Sequence, residues 1–228
     1  MNEDHRESPL NPMPPVVWLL FLPIAAMEIV LQAGSTGLVG GPGAVGWRLE
    51  ALERFSFSPQ LFHWMAANGH WPPEQAMRLL TYIFVHGSFT HAVFVAVFLL
   101  ALGKMVAEVF SAGAVLAVFV VSALAGSLAY AAIPMDLPPL FGGYPPVYGL
   151  IGAFTFILWQ RLGAVHANRY RAFSLIGFLL GIQLVFGLIF GGTWQTLSEI
   201  AGFAAGFATS FLVAPGGWRA VLARIRDR

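Results

Sequence analysis

Apolar residues run in six long blocks along this chain: roughly Val16 to Ala33, Leu79 to Met105, Ala112 to Ile133, Val147 to Gln160, Phe173 to Phe190 and Trp194 to Ala214. Each is long enough to be considered as a membrane-spanning helix, and the fourth is the shortest. Pro145 and Pro146 lack an N–H and restrict the residue before them, so a helix is expected to start near Val147 and run to Gln160, ahead of Arg161. At ~1.5 Å per residue that helix covers only ~21 Å of a hydrocarbon core ~30 Å thick. If Arg161 marks one interface, the first turn begins inside the membrane and is preceded by non-helical backbone. Such backbone needs protein or a water-filled cavity around it, which places Tyr148 in an internal, partly wet pocket. The expected fold class is therefore an all-α membrane protein, a six-helix transmembrane bundle with a short central fourth helix.

Between the first two blocks, residues 34–77 form the one long connection. They mix Trp47, Phe55, Phe57, Leu61, Phe62, Trp64 and Trp71 with Arg48, Glu50, Glu53 and Arg54, a pattern of short amphipathic helices lying in an interface. Residues 1–15 are polar, acidic and proline-rich, without the basic start of a secretory signal, and read as a solvated tail. Residues 16–214 then make one membrane domain, and residues 215–228 a basic tail lying along an anionic membrane surface.

Composition narrows the picture to a membrane protein. The 228 residues are 57% hydrophobic and 10% charged, with a mean hydropathy of +0.73, outside the soluble range. A net charge of +1 and the lack of a basic run interleaved with aromatics argue against a nucleic-acid partner. Zero cysteines exclude disulfides, zinc-thiolate sites and thiol nucleophiles. With the N-terminus cytoplasmic, that side carries Arg6, Lys104, Arg161, Arg169, Arg171, Arg219, Arg224, Arg226 and Arg228, and the other only Arg48, Arg54 and Arg78. This asymmetry predicts that both termini are cytoplasmic, with a bacterial inner membrane as the expected location.

Four ionisable side chains fall inside the blocks, each costing ~2.5–3.5 kcal/mol to insert. Glu28 lies near the outer end of the first block and reads as a carboxyl reaching towards water. Glu199 follows Trp194, an interface anchor, by five residues, which sets it ~7–8 Å deep and level with Tyr148. Glu199 also heads a small-xxx-small run through Gly202 and Gly206, while the fourth helix carries Gly149 and Gly152. These surfaces let two helices approach backbone to backbone and bring the Tyr148 hydroxyl to the Glu199 carboxyl. His86 and His91, five residues apart on one helix, would be separated by ~140°, which makes a shared metal site improbable. For His86 the simpler role is a hydrogen bond to a loop carbonyl. No cofactor is expected.

Taken together, Trp47-Arg48, the run His86-Gly-Ser-Phe-Thr-His91, Gly103, Glu108, Gly149, Gly202 and Gly206 resemble the rhomboid family of intramembrane serine proteases. The resemblance implies a serine nucleophile in a Gly-x-Ser-Gly motif on the fourth helix, with an aromatic one turn later. It also implies a histidine base on the sixth, and a histidine and asparagine on the second that support the oxyanion. Read residue by residue, the motif is Pro146-Val147-Tyr148-Gly149, so the nucleophile position holds Tyr148 and the base position Glu199. The asparagine position holds Val95, the aromatic position Gly152, and His91 is kept. Catalytic residues of the usual kind are therefore not expected. The resemblance then implies a pseudoprotease that binds transmembrane segments of client proteins within the bilayer without cutting them. An active protease with a Tyr/Glu arrangement is the alternative, since an aryl ester on tyrosine would hydrolyse readily. A proton-coupled solute carrier, based on an intramembrane carboxyl near two histidines, is a third.

Overall fold

The computed structural model describes residues 12–190 and 194–215. The expected N-terminal tail up to residue 11 and the basic tail from residue 216 lie outside the described residues, with Arg6, Arg219, Arg224, Arg226 and Arg228. The described residues are helical almost throughout. Helix α1 (Pro15–Ser35) is followed by a 3-10 turn (Gly41–Gly46), α2 (Trp47–Phe55), α3 (Pro59–Asn68), α4 (Pro73–Ala76), α5 (Arg78–Thr81) and a second 3-10 turn (Tyr82–Phe84). The remaining helices are α6 (Phe89–Ala107), α7 (Ala112–Ala131), α8 (Tyr144–Ala164), α9 (Ser174–Phe190) and α10 (Gln195–Val213), with a 3-10 turn (Arg169–Phe173) before α9.

By length and composition α1, α6, α7, α8 and α10 can each cross a bilayer. Apolar α9, the fifth of the six expected spans, has 17 residues, ~26 Å at the helical rise, so five spans rather than six meet the requirement among the described residues. The second block also divides. Its helix begins only at Phe89, where the Ser88 hydroxyl accepts from the His91 N–H and caps the first turn.

Helix α8 is not short. It has 21 residues and includes Tyr144, Pro145 and Pro146. The physical reason is that the first turn of a helix has N–H groups without intrahelical acceptors, so a missing N–H costs nothing there and the fixed proline φ suits the helix. At ~31 Å the helix spans the hydrocarbon by itself, and the reasoning from a helix that starts at depth does not apply to it. The segment before it, Leu137 to Gly143, is held by the long connection: Phe57 and Leu140 form an antiparallel bridge, Gln60 Nε2 donates to the Leu137 carbonyl at 2.8 Å, and Tyr130 Oη donates to the Pro138 carbonyl at 3.0 Å.

Helix α8 sits at the centre, packed against α10, α7 and α6, and is the most buried of the five spans. Its seam with α10 is made by small residues. Gly202 lies on the Pro145 backbone, Gly206 on the Gly149 backbone, and Gly152 on the Phe203 and Phe207 backbone, all closer than any side chain would allow. Gly126 of α7 completes the seam against Pro145 and Ser198. Below it the seam changes to aromatics, where Phe156 meets Phe211 with ring centres 4.7 Å apart and Trp159 meets Phe211 at 5.8 Å. Gly206→Leu is expected to abolish the folded protein, because the added side chain meets backbone that cannot move aside. Gly113→Leu, on α7 with open space around it, should be tolerated. Yield of monodisperse protein after detergent extraction reads both.

Candidate functional site

Three elements converge on the first two turns of α8. Gly142, at φ 98, turns the chain in a region closed to most side chains and packs against the His91 ring. Gly143 then donates its N–H to His86 Nε2 at 3.3 Å, and Tyr144 opens the helix with its ring stacked on His91 at 4.9 Å and 19°. His91 and His86 meet edge to face at 5.0 Å. The expected 140° separation of these histidines is corrected here, since His86 lies in the non-helical stretch before α6 and only His91 is on the helix. His86 is thus the acceptor of the Gly143 amide, in place of the expected bond to a loop carbonyl.

One turn further along α8, Tyr148 is 5% exposed and faces Glu199, also 5% exposed, on α10. The Glu199 carboxyl accepts from the side-chain amide of Gln183 on α9. The pocket thus has two halves. Tyr144, His91 and His86 form an aromatic half around the Gly143 amide, and Tyr148, Glu199 and Gln183 form a polar half, with the two tyrosines four residues apart on one face of α8. Gly149, Gly152, Gly202 and Gly206 hold the halves together through the α8–α10 seam.

Two serines near this pocket are turned to other tasks. Ser88 caps α6. Ser198 donates to the Gln195 carbonyl at 2.6 Å. A third, Ser122, buried on α7, packs against Gly149, and its hydroxyl has no hydrogen-bond partner among the described residues.

Glu28 is a correction. It does not reach water but is buried at 6% exposure and paired with Arg48 of α2, through Nη2–Oε1 at 2.6 Å and Nη1–Oε2 at 3.0 Å. Arg48 Nη1 also donates to the His86 carbonyl at 2.9 Å. A forked cation thus joins α1 and α2 to the loop that presents His86 to Gly143.

Sequence reasoning missed Gln183, Tyr144 and the Arg48–Glu28 pair. Gln183 was within reach of the rule already applied to Glu199, because it is the polar exception deep in an apolar block. The partner of Glu28, by contrast, lies across a loop, and no local spacing reveals it.

Helices long enough to span a bilayer, a central buried helix and a polar cluster at one of its ends define a polytopic membrane protein. The Rhomboid domain family model matches residues 73–216, and the chain belongs to the rhomboid family. It is an integral membrane protein of that family. No curated protein matches the chain.

Unequal costs follow from the two networks. Arg48→Ala leaves the Glu28 carboxylate buried without its partner and should destabilise the fold by ~3–5 kcal/mol. Tyr148→Phe removes a hydroxyl that faces Glu199 within the membrane, where a side-chain hydrogen bond is worth only ~0.6 kcal/mol on average, and should cost no more than that. Equilibrium unfolding in mixed micelles should separate the two variants in that order.

Proposed function

We propose that this chain is a rhomboid-like pseudoprotease, which binds transmembrane segments of client proteins and does not hydrolyse them. The observation that carries the proposal is the chemistry of the pocket: phenols on α8 face a carboxyl on α10, where the family has an alcohol and an imidazole. The geometry favours a register one turn earlier than the sequence alone did. Gly142-Gly143-Tyr144-Pro145 keeps the first glycine of Gly-x-Ser-Gly, and Tyr148 then falls one turn later, where the family carries an aromatic beside the base. Tyr144 in this reading holds the nucleophile position at the start of the helix, with His91 beside it, and Tyr148 and Glu199 face each other to close the pocket. In either register no serine is present, and Val95 replaces the oxyanion asparagine. Removing one such donor typically costs ~10²–10³ in rate.

Hydrolysis by a Tyr/Glu arrangement is the second reading, and the facing of Tyr148 on α8 and Glu199 on α10, both buried, is the observation in its favour. Against it stands the weakness of the groups. A phenol with a reference pKa of ~10 needs a base, and a carboxylate with a reference pKa of ~4.3 is a poor one.

Clients would enter sideways between α6 and α9. Helix α9 packs on α8 and on the turn that precedes it, and Phe178 at 66% and Val185 at 53% exposure point outward. From the arginine and lysine asymmetry, we place both termini in the cytoplasm and the protein in a bacterial inner membrane. Position 178 carrying a photoreactive residue, in protein reconstituted with defined single-span peptides, should crosslink to peptide. The same group at Ile29 on the outer face of α1 should yield lipid adducts. Equal peptide capture at both positions, or none at 178, would remove the client-binding reading.

A further inference from the structure

The connection from α8 to α9 borders an open cavity of about 540 Å³, remote from the Tyr148–Glu199 pocket along α8. Its walls include Trp159, Gly163, His166, Asn168, Arg169 and Tyr170. Arg169 is exposed yet held in place. Its guanidinium lies over the Trp159 ring at 4.8 Å and against Gly163, where any side chain would occupy the same space. His166 adopts φ 54, unusual for a residue with a side chain, to bring the chain round this cavity. The carbonyls that end α8 are already taken: Arg161 O, Leu162 O and Gly163 O accept from Val165, Ala167 and His166. Asn168 Oδ1 accepts from the Tyr170 N–H at 3.0 Å, which leaves its amide nitrogen as the donor end of that side chain.

Charge on this connection has one sign. No acidic residue occurs between Asp136 and Glu199, whereas Arg161, Arg169 and Arg171 fall within it. Arg161 shares a different cavity, with Glu108, so Arg169 is the cation that lines this one. Tyr170, 84% exposed, stands at its rim. The location is the end of a spanning helix, at the level where lipid headgroups lie and where tyrosine and tryptophan are favoured.

We infer that this cavity binds the phosphodiester headgroup of an anionic phospholipid. Arg169 grips the phosphate with a fork that Trp159 holds ready, and His166 and Asn168 supply further donors to the headgroup. The planar stacked guanidinium is the feature that distinguishes a built site from general attraction of basic loops to anionic membranes.

The test uses the full-length protein in a zwitterionic detergent, titrated with short-chain phosphatidylglycerol, short-chain phosphatidylcholine or inorganic phosphate, with bound lipid counted by native mass spectrometry. Phosphatidylglycerol should bind more tightly than phosphatidylcholine, and Arg169→Gln should weaken phosphatidylglycerol binding about tenfold. Arg171→Gln, which removes the same charge from outside the cavity, should change it less than twofold. Arg169→Lys keeps the charge but loses the stacked fork and should fall between. Unchanged lipid-free melting temperatures establish that the variants remain folded. Equal weakening by Arg169→Gln and Arg171→Gln would reduce the effect to diffuse charge and overturn the proposal. No weakening by Arg169→Gln would overturn it too, and so would full competition by inorganic phosphate at equal concentration, which would mark a site for soluble phosphate.

Discussion

The approach of α8 to α10 over bare backbone is the constraint on which the rest depends. In a bilayer, lipid solvates apolar helices as well as other helices do, so association relies on close packing and on hydrogen bonds between polar side chains. Glycines at 149, 152, 202 and 206 provide the packing. That closeness lets a side chain as short as glutamate on α10 meet a tyrosine on α8. Larger residues along the seam would separate the helices and leave two buried polar groups to find other partners, at the cost that unpaired polar groups incur in hydrocarbon.

A second constraint acts from outside the bundle. The Glu28–Arg48 pair and its extension to the His86 carbonyl tie the long connection to the loop before α6. The bridge between Phe57 and Leu140 ties the same connection to the loop before α8. Both loops end at the Gly143 amide, one by supplying the acceptor His86 and the other the donor. The start of α8 is therefore positioned by elements that contribute no side chain to the polar half of the pocket. A buried ion pair serves this purpose better than apolar contact because a bidentate guanidinium fixes orientation as well as distance.

Much of this was legible in the sequence because hydropathy and spacing act locally. The spans, the helices of residues 34–77 and the small-residue faces of α8 and α10 all follow from patterns a few residues long. What was not legible depended on exceptions or on long range. Pro145 and Pro146 look like helix breakers, yet are harmless in a first turn, so the helix start expected near Val147 falls three residues after the start of α8 at Tyr144. The break ahead of Phe89 lay hidden inside an apolar block, which made His86 seem helical and put the two histidines on different faces. Glu28 was read as a surface carboxyl because its partner sits on another helix, beyond a glycine-rich turn. In each case a local rule was sound and its boundary condition was set by tertiary structure.

In the reading proposed here, the pocket keeps the family's architecture while its reactive groups differ from those of a serine hydrolase. Catalysis of peptide hydrolysis needs an activated nucleophile, a base near neutral pKa and donors aimed at the oxyanion. That reading puts phenols, a carboxyl already engaged by Gln183 and a valine in those places. Cleavage of defined transmembrane peptides by the protein reconstituted in bilayers, followed by mass spectrometry alongside labelling with a fluorophosphonate probe, measures this most directly. The account predicts intact peptides and no labelled residue. Cleavage that disappears in Tyr144→Phe, Tyr148→Phe or Glu199→Gln would contradict it.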